Sequence, residues 1–289
     1  MSILFALRPQ QWIKNLLIFV PLVFGKQLFN SLAFLKSVAV FFIFSLTAGT
    51  GYLINDLLDL KKDQCHPKKH LRHIASGKIS IKQTQITALV LGVLSVTASF
   101  VLDNYFGWII IAYLILNLIY TKLLKEIVMI DVFCLSAFFL LRIIGGSVIV
   151  GVRMSHWVIL MTVLLALFLG FNKRRQELSL FGNNPVAYRP VLNKYSVHLI
   201  DRLTVVIIFL IVVSYTFYTV DERTVGYFGT GHLIYSAPFV FFGIFRYLYL
   251  IHKLNQDGDP TRMLLSDKIM KIDLVLWVIV CILVIYFKL

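Results

Sequence analysis

Long apolar runs, each roughly 17–25 residues, alternate with shorter polar segments along almost the whole chain. Nine such runs can be marked, at 15–33, 35–55, 84–102, 106–124, 127–150, 156–172, 201–220, 232–252 and 272–288. Apolar character is continuous within each, without the alternation of barrel strands, so the pattern predicts membrane-spanning helices. Lys26, Gln27 and Asn30 interrupt the first run, and the fifth carries Arg142 well inside it. No linker or low-complexity stretch divides the 289 residues. The expected fold is all-α: a polytopic membrane bundle of about nine transmembrane helices, forming a single domain over 1–289.

The polar segments fall into two sets. Asp103-Asn104, Gly151 to Ser155 and Asp221 to Gly231 carry little positive charge, whereas Lys61 to Lys82, Lys122 to Lys125, Lys173 to Lys194 and Lys253 to Lys271 are basic. With Arg8 and Lys14, about 21 of the 28 Lys and Arg residues lie on the basic side and about five on the other. The positive-inside rule therefore puts the N-terminus in the cytoplasm and the C-terminus outside, as an odd number of crossings requires.

Composition agrees. The chain is 59% hydrophobic and 15% charged, against about a quarter charged for a soluble domain. A net charge of +14 could suggest nucleic acid, but in a membrane protein it reads as basic cytoplasmic loops facing anionic lipid. We expect no nucleic-acid partner. Three widely separated cysteines, Cys65, Cys134 and Cys281, do not make a disulfide framework. No cleavable signal precedes the first run. The chain reads as a multi-pass protein of the cytoplasmic (inner) cell membrane.

The most informative polar segment is Asn55-Asp56-Leu57-Leu58-Asp59-Leu60-Lys61-Lys62-Asp63, at the cytoplasmic end of the second run. Spacings of three and seven residues place Asp56, Asp59 and Asp63 along one face of a continuing helix, with Tyr52 and Asn55 one turn nearer the membrane. Carboxylates so clustered repel unless they share a cation. Hard oxygen ligands suit Mg2+, which keeps several waters and takes phosphate oxygens as further ligands. The plain alternative is a solvated acidic helix end. In the next segment, Lys69 and Arg72 can face one bound anion. Cys65, His66, His70 and His73 match no standard zinc spacing.

A second cluster, Asn172-Lys173-Arg174-Arg175-Gln176-Glu177, follows the sixth run, with Tyr188-Arg189 beyond it. If both clusters line one cavity, an acidic wall faces a basic one, which suits a substrate with a metal-bound diphosphate and a second phosphate. Ordinary positive-inside loops are the alternative. Arg142 lies eleven residues after Asp131, on the same helical face, and an unpaired Arg in lipid should face a cavity, a carboxylate or a phosphate. Arg246, in the cytoplasmic half of the eighth run, and Lys122, closing the fourth, invite the same reading, with snorkelling as the alternative. Asp257, Asp259 and Asp267 in the last cytoplasmic loop stay open between a role near the site and a solvent-facing one.

At these residues the chain resembles the UbiA superfamily of intramembrane prenyltransferases, and within it the branch of decaprenyl-phosphate phosphoribosyltransferases. The resemblance rests on N-D-x-x-D-x-x-x-D from Asn55 to Asp63 and on Arg8-Pro9-x-Gln11-Trp12-x-Lys14-Asn15. It also rests on His66-Pro67-x-Lys69-x-x-Arg72-x-Ile74-Ala75-x-Gly77, Leu141-Arg142 followed by Gly145 or Gly146, and Lys173-Arg174-x-x-Glu177. It runs from about residue 8 to about residue 270. Ordinary UbiA prenyltransferases carry a second D-x-x-x-D-type motif after the sixth span. Here that place reads Lys-Arg-Arg-Gln-Glu, an exchange that a donor with a second, separate phosphate would explain.

The resemblance implies transfer of the 5-phosphoribosyl group from phosphoribosyl diphosphate (PRPP) to a polyprenyl phosphate, with Mg2+ as cofactor and the lipid bilayer as surroundings. Asp56, Asp59 and Asp63 would be catalytic and, with Asn55, would hold the metal. Lys14, Tyr52, Lys69, Arg72 and Lys173 would bind PRPP; Lys122, Arg142 and Arg246 would meet the lipid phosphate; Arg174 and Glu177 would form the second cluster. Two rivals stand beside this reading. One is a prenyltransferase acting from a prenyl diphosphate, against which the basic second cluster counts. The other is a non-enzymatic polyprenyl-phosphate carrier, which would need polarity in the outer halves of the spans.

Overall fold

The structure is a computed structural model and describes residues 2–65, 69–181, 190–254 and 266–289. Helices joined by turns make up those residues, with no strand among them. Among the described residues, eight helices are long and apolar enough to cross a membrane. In a chain-order numbering of the α-helices these are α3 (Ser31–Leu58), α5 (Ile81–Leu102), α6 (Asn104–Lys122), α7 (Ile130–Val150), α8 (His156–Phe181), α9 (Val197–Val220), α11 (Ala237–Leu254, preceded by a 3-10 turn at His232–Ser236) and α12 (Lys268–Phe287). The shorter α-helices are α1 (Ser2–Ala6), α2 (Val20–Phe24), α4 (Leu60–Gln64) and α10 (Glu222–Phe228). Large apolar side chains such as Leu89, Val90, Val93, Leu94 and Val101 of α5 stand exposed on the outside, as a lipid-facing surface requires. This is a multi-pass membrane protein.

The loop polar residues fix where helices begin. Asn30 caps α3 through Leu32 N and Ala33 N, Ser80 and Gln83 form a capping box on α5, and Asp103 caps α6 through Phe106 N. Each side chain satisfies amide donors that the first helical turn leaves unpaired.

The first apolar run differs from expectation. It is not one helix over 15–33. Pro9–Phe19 forms a 3-10 helix, α2 follows, and the chain breaks at Gly25 to Asn30, where Lys26 adopts φ 55° and Asn30 caps α3. A 3-10 helix rises roughly 2.0 Å per residue. Pro9–Phe24 therefore reaches roughly 30 Å, comparable with the hydrocarbon core. It runs alongside α7 in the same direction: Asn15 bonds Arg142, Ile18 lies on Gly146 and Gly25 meets Val152. The approach at Gly146 is so close that an added Cβ would stand 2.3 Å from the Ile18 carbonyl oxygen.

The described chain forms two compact units, one built on Met1–Arg153 and one on most of the chain from Met154. The first has a core of Ile18, Val40, Phe44, Phe106, Ile110 and Phe138. Gly145 lets Phe44 and Phe106 close over α7. In the second unit α8 packs lengthwise on α9, and Tyr215, Ser236 and Trp277 link α9, the 3-10 turn and α12 by hydrogen bonds.

Candidate active site

Three elements of the first unit meet at one end of α3. Asn55 and Asp56 occupy its last turn, and the helix stops at Leu58. Asp59 leaves helical geometry (φ −95°, ψ 8°) before α4 resumes. The expected single continuous face is thus broken at its middle carboxylate. Asp56 and Asp63 turn one way and are buried, 4% and 3% exposed, while Asp59 turns to a different partner.

Each carboxylate has a cation. Arg72 Nη1 bridges two of them, donating to Asp56 Oδ1 at 3.0 Å and to Asp63 Oδ2 at 2.6 Å. Arg8 Nη2 donates to the same Asp56 oxygen at 2.5 Å and lays its guanidinium 4.9 Å from the centre of the Tyr52 ring. Those contacts hold Arg8 in the left-handed region at φ 53°, a conformation that costs a non-glycine residue roughly 1–2 kcal/mol. Lys125 Nζ donates to both oxygens of Asp59 at 2.7 Å. Burial pushes the Asp63 carboxyl above its ordinary value, against the opposing pull of Arg72 and Lys69. Asn55 is half-buried at the same end of α3. His66 and Pro67 lie outside the described residues.

Deeper in this unit, Arg142 is 3% exposed. It does not reach Asp131. Nε donates to Asn15 Oδ1 at 2.6 Å, Nη1 to the Phe138 carbonyl at 2.7 Å and Nη2 to Tyr113 Oη at 2.8 Å. All three acceptors are neutral, so each guanidinium nitrogen makes a hydrogen bond while the charge meets no carboxylate among the described residues. Asn15 in turn donates to Ser45 Oγ, tying the 3-10 segment to α3. Lys14 is half-buried on the same segment, and Lys122 is exposed at the end of α6.

In the second unit the basic cluster is not in a loop. α8 continues past the predicted end at 172 to Phe181 and carries Lys173 to Glu177 on its last turns. Arg174 is fully buried and donates to Glu177 Oε2 at 2.6 Å; Lys173 is half-buried. Arg175 pairs with Asp201 and joins α8 to α9. Arg246 donates to Asp267 at 2.8 and 3.4 Å, and Asp267 also caps α12 through Met270 N. That arginine is neutralised within its own unit. Tyr188, Arg189, Asp257 and Asp259 lie outside the described residues.

Residues 16–174 match the model of the UbiA prenyltransferase family. The chain belongs to that family. An uncharacterised protein of Sinorhizobium fredii, y4nM, is 31% identical over 91% of this chain, which spans only about half (52%) of that relative's length. The decaprenyl-phosphate phosphoribosyltransferase of Mycobacterium tuberculosis is 28% identical over 94% of this chain and 90% of its own. Among solved structures, a UbiA homolog from Archaeoglobus fulgidus bound to GPP and Mg2+ superposes with a TM-score of 0.73 at 17% identity, covering 99% of both chains. At that identity the likeness is one of fold.

In this UbiA family member, no three His, Cys, Asp or Glu side chains among the described residues are gathered as a metal site. The donor chemistry nevertheless fits a hard divalent cation. Asn55, Asp56, Asp59 and Asp63 offer oxygen only, and the buried Asp56–Asp63 pair already has a cationic group, the Arg72 guanidinium, shared between its oxygens. Two residues at this site went unselected in the sequence, Arg8 and Lys125. Both sit in segments recognisably basic, but each pairs across a long stretch of chain, 48 and 66 residues.

Proposed function

We propose that this UbiA family member transfers the 5-phosphoribosyl group of PRPP to a polyprenyl phosphate and releases diphosphate, in a Mg2+-dependent reaction at the cytoplasmic face of the cytoplasmic membrane. The observation that carries this reading is the buried Asp56–Asp63 pair with Arg72 between its carboxylates and Arg8 beside it. A site that alternates carboxylate and guanidinium can take a metal-bound diphosphate and bind phosphate directly. The name of the M. tuberculosis relative supports the same choice.

In this reading a lipid phosphate oxygen forms a bond to the anomeric carbon as the bond from that carbon to diphosphate breaks, and the electron pair leaves with diphosphate. A phosphate is ionised at neutral pH, so no side chain has to remove a proton from the nucleophile. Catalysis rests on positioning and on stabilising the charge that grows on the leaving group. Arg8, Arg72 and Lys69 are the first unit's cations for that task, with Lys14 and Tyr52 as further PRPP contacts. Asn55, Asp56, Asp59 and Asp63 would hold Mg2+, which supplies charge neutralisation on the diphosphate. Lys122 and Arg142 are assigned to the lipid phosphate, the latter because its charge has no carboxylate partner among the described residues. Lys173 and Arg174 are assigned to phosphate groups in the second unit, and residues 1–289 to one transferase domain.

The A. fulgidus homolog bound to GPP and Mg2+ supports a second reading, prenyl transfer from a prenyl diphosphate. Incubating the purified protein with ribose-labelled PRPP, a polyprenyl phosphate and Mg2+ separates the two. Label in the lipid fraction, lost on chelation and in Asp56→Asn, is the expected result. Turnover only with a prenyl diphosphate would overturn it in favour of prenyl transfer.

A further inference from the structure

Three buried polar atoms of the first unit reach no hydrogen-bond partner among the described residues: Trp12 Nε1, Asn117 Oδ1 and Thr121 Oγ1. Two of them lie one turn apart on α6. Asn117 packs on α3 at Gly51, where an added Cβ would stand 2.7 Å from its side-chain nitrogen. Eight residues further along both chains, Lys125 meets Asp59. Within the helices themselves Phe44 packs on Tyr113 and Gly51 on Asn117, so α3 and α6 run side by side in the same direction, which puts Thr121, one turn past Asn117, at the level of Asn55, one turn past Gly51.

Thr121 is 3% exposed. In the first unit Thr47, Thr50 and Thr84 turn their hydroxyls back onto the carbonyl four residues earlier, whereas Thr204 of α9, in the second unit, makes no such bond. Thr121 makes none either. A buried hydroxyl that forgoes this local bond, next to an amide oxygen that is also unpaired, is an unfavourable arrangement unless something else satisfies both.

We propose that Asn117 and Thr121 form a hydroxyl-recognition subsite for the ribose of the donor, resting on the phosphoribosyl reading above. Ribose hydroxyls donate to Asn117 Oδ1 and exchange a hydrogen bond with Thr121 Oγ1. A prenyl chain in the same place leaves both unpaired. The pair therefore selects a sugar diphosphate over a prenyl diphosphate by the discrimination that buried polar groups exert against a substrate lacking the matching hydroxyl.

The test compares PRPP with its 2-deoxy and 3-deoxy counterparts as donors, using the full-length protein in detergent. The wild type is expected to prefer PRPP over at least one deoxy donor by about 100-fold or more in kcat/KM. In Thr121→Val, which keeps the shape and removes the hydroxyl, that preference narrows by about tenfold or more because PRPP is used less well while the deoxy donor is used as before. Thr121→Ser restores it, and Asn117→Leu narrows the preference likewise. Discrimination in Thr121→Val equal to wild type, or an equal loss on all donors, overturns the subsite and leaves the phosphoribosyl reading standing. A wild type that transfers no phosphoribosyl group overturns both.

Discussion

Lys125 grips Asp59 through both carboxylate oxygens, each 2.7 Å from its Nζ. The same carboxylate is assigned to Mg2+ in the proposed function, so ammonium and metal compete for it. Lys125→Met should lower the Mg2+ concentration for half-maximal transfer several-fold, because a like charge is removed from beside the ion. Asp59→Asn should lower kcat by about 100-fold or more, the scale of losing one electrostatic contact to the reacting group. A Mg2+ titration of both variants checks this; an unchanged half-saturation in Lys125→Met would mean that the ammonium serves the diphosphate rather than blocking the metal.

Much of this arrangement was legible beforehand, and what was not has a common cause. Eight of the nine apolar runs became long apolar helices because a bilayer admits little else. The first is divided before residue 33 because Asn30, an interruption in the apolar pattern, is the cap that starts α3. Within Asn55 to Asp63 there is no Gly or Pro to announce the break at Asp59; its partner Lys125 lies 66 residues away. Lys122 stands out in the sequence as the residue that closes the fourth run, whereas Lys125 lies beyond the helix end at Leu123 (φ −127°, ψ −56°), where helical spacing no longer reports a face. Arg142 was rightly read as buried and in need of partners, though these proved to be Asn15, Tyr113 and a backbone carbonyl rather than Asp131.

That network around Arg142 separates structure from binding. Arg142→Met leaves Asn15 and Tyr113 without their partner inside the bundle, a change on the order of 1–3 kcal/mol for an unsatisfied buried group. A fall in melting temperature in detergent should follow. If the uncompensated charge also serves the lipid phosphate, Arg142→Met raises KM for polyprenyl phosphate and leaves KM for PRPP alone. Arg142→Lys should then recover the lipid KM but not the full stability, because one ammonium cannot reproduce the fork that reaches three acceptors. Equal lipid KM values in all three proteins would make Arg142 purely structural.

Gly146 and Gly226 make a matched pair of glycine substitutions. A Cβ at Gly146 would stand 2.3 Å from the Ile18 carbonyl oxygen, which belongs to backbone and cannot swing aside. Gly146→Ala should therefore push Pro9–Phe24 off α7 and lower thermal stability by roughly 1–3 kcal/mol, weakening the placement of Arg8 as well. Gly226, inside α10, has nothing within 4 Å of its Cβ position. Gly226→Ala should leave activity unchanged and melting equal or slightly higher. Thermal melts of the two variants check the contrast, and a neutral Gly146→Ala would show that the 3-10 segment can shift without cost.

The Arg246–Asp267 pair yields a pH dependence with a definite sign. Hydrogen bonding from Arg246 holds the Asp267 carboxyl below its ordinary value, helped by the Met270 amide and opposed by burial. A carboxyl whose pKa is lower in the folded state adds stability above its unfolded value of about 3.9. That stability is lost as pH falls through the lower folded value. Asp267→Ala should thus melt below wild type at pH 6–7, and the gap should shrink as pH drops below about 4. Part of the gap comes from the helix cap and is restored by Asp267→Asn, which keeps an acceptor for Met270 N but has no charge to offer Arg246. The remainder, the difference between wild type and Asp267→Asn, should vanish in acid. A difference that persists unchanged at pH 3 would show that the ion pair contributes nothing and that Arg246 is in effect available for a phosphate.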